Sequence, residues 1–398
     1  MYSLTEFSWL IDVVLLWIVV YIIFRLIKKY IKLDNVEIGP LYAFIKTSRL
    51  NNFLLDIVIK YEKALYVFYI VGVIVGLGLM CAAFYLLISN LIHYFLIAPG
   101  PEPPAKIIIP GVTVTGYVFL KMLPGILLVF IPHELSHKVT LHLSKVKIKS
   151  VGFAFVFLIP AAFVEPDENE FKAINPKRRL IVLAAGSYMN IIVALIFLPL
   201  VINPYLFHLL LSPFYAPSSG VIVSEILPNY PLSNQTILTE GDVIIEINGK
   251  PIKSVADLRS IRVLPGETVY IKFMNHSSHE ICELSIVAAQ DPKNPNRGIL
   301  GYIPKNYYPP KFPFLPIYLP HIMYEVLFWI FFLSLNIGLI NMLPIYMLDG
   351  YGCLSAILDL LNMKKKTKKI ILILFSVISL FLVVLNLTAH IVLKIIQI

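Results

Sequence analysis

Apolar residues in this chain run in long blocks separated by short charged loops. The blocks are Trp9–Ile27, Leu65–Leu91, Gly116–Leu143, Leu180–Ile202, Met323–Leu343 and Ile370–Ile395. A helix needs about 20 apolar residues to cross the hydrocarbon core, so each block predicts a membrane span. The first has no basic leader and no small-residue cleavage site behind it, and reads as a retained anchor. After it, within Arg25–Lys63, Leu41, Phe44, Ile45, Phe53, Leu54, Ile57, Val58 and Tyr61 recur at roughly helical spacing between charges. That predicts a helix lying on the membrane surface, with a plain cytosolic linker as the alternative. Val151–Val164 is apolar but too short to span as a helix. Phe153, Phe155 and Phe157 alternate with smaller residues, which predicts extended chain in a re-entrant or membrane-edge hairpin. Backbone of that kind must be covered by protein or line a wet cavity.

From Ser212 to Pro304 the pattern turns soluble. Gly220–Ser224, Asp242–Ile247, Val269–Phe273 and Ile281–Val287 read as strands, and Asn248-Gly249 as a hairpin turn. Ser254-Val255-Ala256-Asp257 has the form of a helix N-terminus. The predicted fold class is therefore a polytopic α-helical membrane protein of about six transmembrane helices with an inserted small β-rich domain. The domain reading is residues 1–63 for the first span and basic segment, 64–211 for the first membrane part, 212–305 for the insert and 306–398 for the second membrane part.

Composition narrows the class. Of 398 residues, 58% are hydrophobic and 14% charged, with a mean hydropathy of +0.81. Those values exclude a purely soluble and a disordered chain. The net charge of +9 gathers in Arg25–Lys63, Lys138–Arg179 and Lys364–Lys369, which is loop charge that sets orientation, not a nucleic-acid surface. The Pro-rich loop Pro99–Pro104 is followed only by Lys106. Positive-inside logic then puts the three basic loops in the cytosol, and both termini and the β-rich insert outside. Many Ile and Lys residues without an organellar address suit a microbial plasma membrane. Cys81, Cys282 and Cys353 form no CxxC pair, hence neither a disulfide framework nor a cysteine zinc site.

The third block holds His133-Glu134-Leu135-Ser136-His137. Residues i and i+4 share a helix face, so both imidazoles can bind one metal ion, and the glutamate can take a proton from a water polarised there. Such groups inside a span are costly unless they face protein or a wet cavity. An interhelical hydrogen-bond cluster is the alternative. His142 lies off that face, near the basic end, and reads as interfacial. Asp349, beyond the helix break at Pro344, is a carboxylate suited to complete a zinc site beside two imidazoles.

His133-Glu134-x-x-His137 in one span, with Asn341-x-x-Pro344-x-x-x-x-Asp349-Gly350 in a later one, resembles the site-2 protease family of intramembrane zinc metalloproteases. The resemblance covers roughly Ile107–Leu360. It implies one Zn2+ per chain held by His133, His137 and Asp349, with Glu134 as general base and Asn341 holding or polarising the scissile carbonyl. Gly186-Ser187-Tyr188-Met189-Asn190 is similar to a Gly…Asn element of that family. Site support and close helix packing are both open for it, with packing favoured. Glu240–Gly249 resembles part of a PDZ domain. That implies peptide binding at Ser219–Val223, with Gly220, Val221, Ile222 and Val223 as the binding strand, and a steric gate as the alternative. The implied partners are membrane proteins with a transmembrane helix, and the bilayer. A catalytically silent membrane binder or chaperone, and a metal-ion transporter, are the rival classes. The first has no use for Glu134, and the second calls for a path of intramembrane ligands, not one cluster.

Overall fold

The computed structural model describes residues 18–19, 21–23, 25–26, 36–39, 42–46, 56, 58–97, 100, 103–105, 108, 114, 116–156, 159–292 and 294–396. The chain divides into two compact units, Met1–Pro199 with Val326–Ile398, and Leu200–Glu325. Strands β1 (Val36–Ile38) and β2 (Tyr42–Lys46) come first. They are followed by helix α1 (Glu62–Ile92), which ends in a π-helical turn at His93–Ile97, and α2 (Gly116–Leu143). Strands β3 (Ile148–Val156) and β4 (Ile159–Pro166) lead to α3 (Glu168–Ala173), α4 (Pro176–Ile202) and α5 (Pro204–Leu211). After a β-rich stretch come α7 (Leu319–Asn341), α8 (Asp349–Leu360) and α9 (Lys365–Ile396), with α6 (Val255–Ser260) inside that stretch. Among the described residues, α1, α2, α4, α7 and α9 are long and apolar enough to cross a membrane. The chain is an integral membrane protein by this measure. The span expected at Trp9–Ile27 lies largely outside the described residues.

Helix α4 is the enclosed one. Ala184, Ala185, Ser187, Asn190 and Ala194 on it are buried. Helix α1 approaches it through Gly72-x-x-x-Gly76: a Cβ on Gly72 would come within 2.6 Å of the Tyr188 ring, and one on Gly76 within 3.0 Å of the Ala184 Cβ. Small residues at i and i+4 let two backbones close up where lipid supplies no hydrophobic drive. The start of α4 is set locally. Pro176 takes the first position, where no N–H is needed, and the Asn175 side chain accepts from Lys177 N at 2.9 Å. Helix α2 continues through Pro124 and Pro132.

The described residues of the short apolar segment are extended, as its alternation predicts. Strands β3 and β4 form an antiparallel hairpin, and the sheet order is β1-β2-β3-β4, with β4 at one edge beside α2. The surface helix predicted over Leu41–Tyr61 needs correction at its start. Phe44 and Ile45 lie in β2, paired with Ala154 and Phe153 of β3. Gly39 N bonds to Tyr42 O at 2.8 Å between the two strands. A β-prone stretch then pairs with a strand over a hundred residues away, which local periodicity cannot register. Most of the remainder of that predicted helix lies outside the described residues.

The second unit is built on a sheet of order β12-β5-β6-β8-β9, with β7 on β6. The strands are β5 (Gly220–Ile226), β6 (Val243–Ile247), β7 (Lys250–Pro251), β8 (Thr268–Met274), β9 (Ile281–Val287) and β12 (Tyr302–Tyr307). A small pair, β10 (Ala289–Asp291) with β11 (Asn294–Ile299), lies between β9 and β12 in sequence. The core gathers Val221, Val223, Leu232, Leu238, Ile244, Ile247, Val269, Ile271 and Phe273. Asn248 and Gly249 both take positive φ, as a two-residue hairpin turn requires. Ser254 caps α6 by accepting from Asp257 N at 3.2 Å. Asp242, fully buried, accepts from Thr239 N at 2.7 Å and His276 N at 2.9 Å, which fixes the loop entering β6.

In the first unit one carboxylate joins three helices. Asp359 on α8 accepts from Arg179 of α4 at 2.5 Å and from Lys368 of α9 at 2.6 Å, each cation on its own oxygen. Burial pushes the Asp359 carboxyl up, but the Lys368 and Arg179 hydrogen bonds outweigh it and hold it below the ordinary value. A depressed carboxyl stabilises the fold above about pH 4, and that contribution is lost as the pH falls through the folded value. Asp359→Asn should cost about 1–3 kcal/mol, seen as a lower thermal midpoint. It should also flatten the decline of that midpoint between about pH 5 and about pH 3. An unchanged midpoint and an unchanged pH profile would remove this tie from the account.

Candidate metal centre

The two histidines of α2 and the first residue of α8 converge. His133 Nε2 and His137 Nε2 are 3.1 Å apart, and each lies 3.4 Å from Asp349 Oδ2. One turn of helix brings the imidazoles onto one face. Asp349 arrives from the other side because α7 stops at Asn341 and the chain turns, with Met347 at positive φ, before α8 begins. Asp349 Oδ2 is buried and has no hydrogen-bond partner.

The outer ring nitrogens decide what the inner ones offer. His137 Nδ1 is 2.8 Å from the Val182 carbonyl oxygen of α4. A carbonyl only accepts, so Nδ1 carries the proton and Nε2 presents a lone pair to the site. His133 Nδ1 is 3.1 Å from the Asn190 side-chain amide, and Asn190 Oδ1 is buried without a partner. Turning that amide over sets Oδ1 against Nδ1–H, and His133 Nε2 then presents a lone pair as well. Two lone pairs and a carboxylate oxygen facing one another within 4.8 Å repel unless a cation lies among them. That donor set fits zinc, which takes imidazole nitrogen and carboxylate oxygen.

Helix α4 leaves the room. A Cβ on Gly186 would stand 2.4 Å from His133 Nε2 and 2.6 Å from His137 Nε2. Any larger residue there would fill the cradle between the two nitrogens. Gly186 and Asn190 therefore both serve the histidines, and the close-packing reading favoured from sequence gives way to site support. The sequence signal was present: a glycine and an asparagine at i and i+4 share one face of a largely apolar helix. Val182, whose backbone orients His137, left no signal, since any residue supplies a carbonyl.

A cavity of about 330 Å³ opens beside this cluster. Glu134 and Asn341 line it together with His133, His137 and Asp349, so these five predicted residues meet in one place. Val164 and Pro166 of edge strand β4 form part of its wall. His142 is not in the lining, in keeping with its reading as a non-ligand.

The profile described as Peptidase family M50 matches residues 121–385, more than half of the chain. The chain belongs to peptidase family M50. The match takes in both motifs, from the M50 histidine pair on α2 to Asp349 on α8. The protein MJ0971 of Methanocaldococcus jannaschii is 28% identical over 271 residues, which cover 67% of this chain. The matched stretch spans 64% of that relative's own length. The PDZ domain of the SdrC-like protein of Listeria monocytogenes is similar at 25% identity, over 22% of this chain and 87% of that one, with a TM-score of 0.19. Its counterpart from Listeria innocua is 31% identical over 21% and 92%, with a TM-score of 0.19.

Gly220, Val221, Ile222 and Val223 are not brought to an open edge. They are buried in β5, which pairs with β12 on one side and β6 on the other. A strand paired on both edges cannot take up a peptide as an added strand, so the predicted binding strand is corrected to an interior one.

The cradle gives a direct test. Asn190→Ala should weaken zinc affinity by about 10–100-fold, and Gly186→Ala by at least as much, measured by competition with a chelator on purified protein. Full affinity in Gly186→Ala would contradict the shared position of the two ring nitrogens.

Proposed function

We propose that this M50 member is a zinc metalloendopeptidase that hydrolyses peptide bonds within transmembrane segments of membrane-protein substrates. The observation that carries this reading is the convergence of His133, His137, Asp349, Glu134 and Asn341 on one cavity among apolar helices. His133, His137 and Asp349 hold the zinc, one ion per chain. When bound, zinc supplies Lewis acidity, which polarises a carbonyl and lowers the pKa of a water to near 7. Glu134 takes the proton of the attacking water and returns it to the departing amine. Asn341 donates its side-chain N–H to the oxyanion that develops on the scissile carbonyl, an interaction of the kind worth about 3 kcal/mol.

A transmembrane helix hides its peptide bonds in its own hydrogen bonds, so the substrate unwinds before it reacts. Strand β4 supports this step: it is an edge strand among the described residues, and Val164 on it lines the cavity. An unwound segment added to that edge keeps its backbone groups paired.

Orientation follows the basic loops. With Arg25–Lys63, Lys138–Arg179 and Lys364–Lys369 cytosolic, the inserted unit lies outside. His137 precedes Lys145 by eight residues, roughly 12 Å along a helix, so water enters from the cytosolic side. The cut then falls in the cytosolic half of the substrate span. The insert screens substrates from outside.

Glu134→Gln should retain zinc and lose at least about a hundredfold in hydrolysis of a reporter membrane peptide. Asp349→Ala should lose both zinc and hydrolysis. Mass spectrometry of the products should place the scissile bonds in the cytosolic half. Full zinc and activity in Asp349→Ala would remove the third ligand, and cuts in the outer half would reverse the placement.

A further inference from the structure

The chain enters the inserted unit from α4 and leaves it into α7, and at both points it stays apolar beyond the membrane spans. Asn203–Ala216 follows the first span and Pro309–Tyr318 precedes the second. Neither segment holds an Asp, Glu or Arg, and Lys311 is the one lysine in them. Helix α5 packs Phe207 and Leu211 inward and leaves Tyr205, Leu209 and Leu210 exposed. Phe214, Phe312 and Phe314 are exposed as well, Phe314 to 79%. The Phe312 and Phe314 rings stack with their centroids 5.7 Å apart.

Hydrogen bonds join the two segments into one platform. Lys311 N donates to Phe214 O at 2.9 Å, and Ala216 N to Pro309 O at 2.8 Å. Tyr215 is buried, and its hydroxyl donates to Pro316 O at 2.8 Å. Lys311 Nζ donates to Ser212 O at 2.7 Å, so the lysine is occupied by a carbonyl of the platform itself. Pro309, Pro310, Pro313 and Pro316 have no N–H, and Leu315 N donates to Phe312 O at 3.1 Å. Irregular chain can lie against hydrocarbon only when its backbone donors are absent or paired in this way.

We propose that this platform docks the inserted unit on the bilayer surface, with Tyr205, Leu209, Leu210, Phe214, Phe312 and Phe314 set into the interfacial layer of the lipid. The occupant follows from continuity. Leu195, Ile196 and Ile202 are exposed on the last turns of α4, an apolar surface of the kind a span presents to lipid, and Tyr205 lies three residues beyond Ile202. Exposed apolar side chains on this scale call for a cover, and aromatic rings concentrate at the depth where a span ends. With no free cation in either segment, the contact is with the uncharged layer beneath the headgroups and not with anionic lipid. The unit is then held down at its base, not tethered by two loose connections. This goes beyond the peptidase reading and does not depend on it, nor on which side of the membrane the unit lies.

The test uses the full chain, one copy per phosphatidylcholine nanodisc, and nitroxide labels placed on single cysteines. Cys81→Ala and Cys282→Ala remove the accessible native thiols, while Cys353 is fully buried and stays. Labels go on Leu210→Cys and Phe314→Cys, and for comparison on Ile237→Cys and Tyr270→Cys, which are exposed elsewhere on the unit. Power-saturation electron paramagnetic resonance then compares collision with oxygen, which partitions into lipid, and with an uncharged nickel chelate, which stays in water. The oxygen-to-nickel ratio should be at least about threefold higher at Leu210 and Phe314 than at Ile237 and Tyr270. The same contrast should appear in phosphatidylglycerol nanodiscs. Phe312→Asp with Phe314→Asp should lower the ratio at Leu210 at least about twofold. The milder Phe314→Ser should act in the same direction, which keeps the test valid if the double variant fails to fold. Equal ratios at all four positions would overturn the proposal. So would low collision with both reagents at Phe314, which would mean a protein cover. A contrast seen only in phosphatidylglycerol would assign the contact to charge and overturn it too, and so would an unchanged ratio at Leu210 in both Phe variants. Zinc content and membrane-substrate cleavage by the unaltered chain, read in parallel, report on the peptidase reading alone.

Discussion

Two imidazole nitrogens and a carboxylate oxygen meet within 3.4 Å of one another, among long and largely apolar helices. Polar groups at such a depth are costly to bury, and a carboxylate oxygen without a donor is costlier still. Repulsion among three lone-pair groups would push these side chains apart in any flexible setting. They stay together because each is held from behind. The Val182 carbonyl fixes one ring and the Asn190 amide the other, while the turn between α7 and α8 delivers Asp349. Such outer partners fix tautomer and ring orientation as well as position.

Both of those outer partners and Gly186 lie on α4, the most enclosed of the long helices. Its burial is thus tied to chemistry as much as to packing. Gly72 and Gly76 let α1 close on it, and at its N-terminal end Arg179 joins Asp359 of α8. Helix α8 begins with Asp349 and ends near Asp359. One ion-pair cluster therefore anchors the far end of the helix that carries the carboxylate ligand to the helix that orients the two histidines. Loosening either end would move the ligand relative to the rings, and metal sites tolerate little such play.

The sequence made the long helices legible because apolar length is a strong signal, and each observed terminus lies within a few residues of its predicted one. The histidine pair and Glu134 were legible because helical spacing puts them together without any tertiary knowledge. Asp349 needed the motif around Pro344, since nothing local ties it to α2. Harder to read were the features set by distant pairing. Phe44 and Ile45 fit a helical period, yet they join β3 through a contact that no local window contains. Gly220–Val223 has the β-branched apolar run of a strand and nothing to say whether its edges are free. That depends on β12, some eighty residues later, which returns to pair with it. Gly186 and Asn190 were visible as residues, but their role rests on a 2.4 Å clearance that only coordinates reveal.

The central claim is that one ion is bound by two imidazoles and one carboxylate. Zinc K-edge X-ray absorption on the purified full chain tests it most directly. The account predicts one zinc per chain with two imidazole nitrogens at about 2.0–2.1 Å and oxygen at about 2.0–2.2 Å, and no sulfur at about 2.3 Å. A spectrum with sulfur in the coordination sphere, or with a single imidazole, would contradict it.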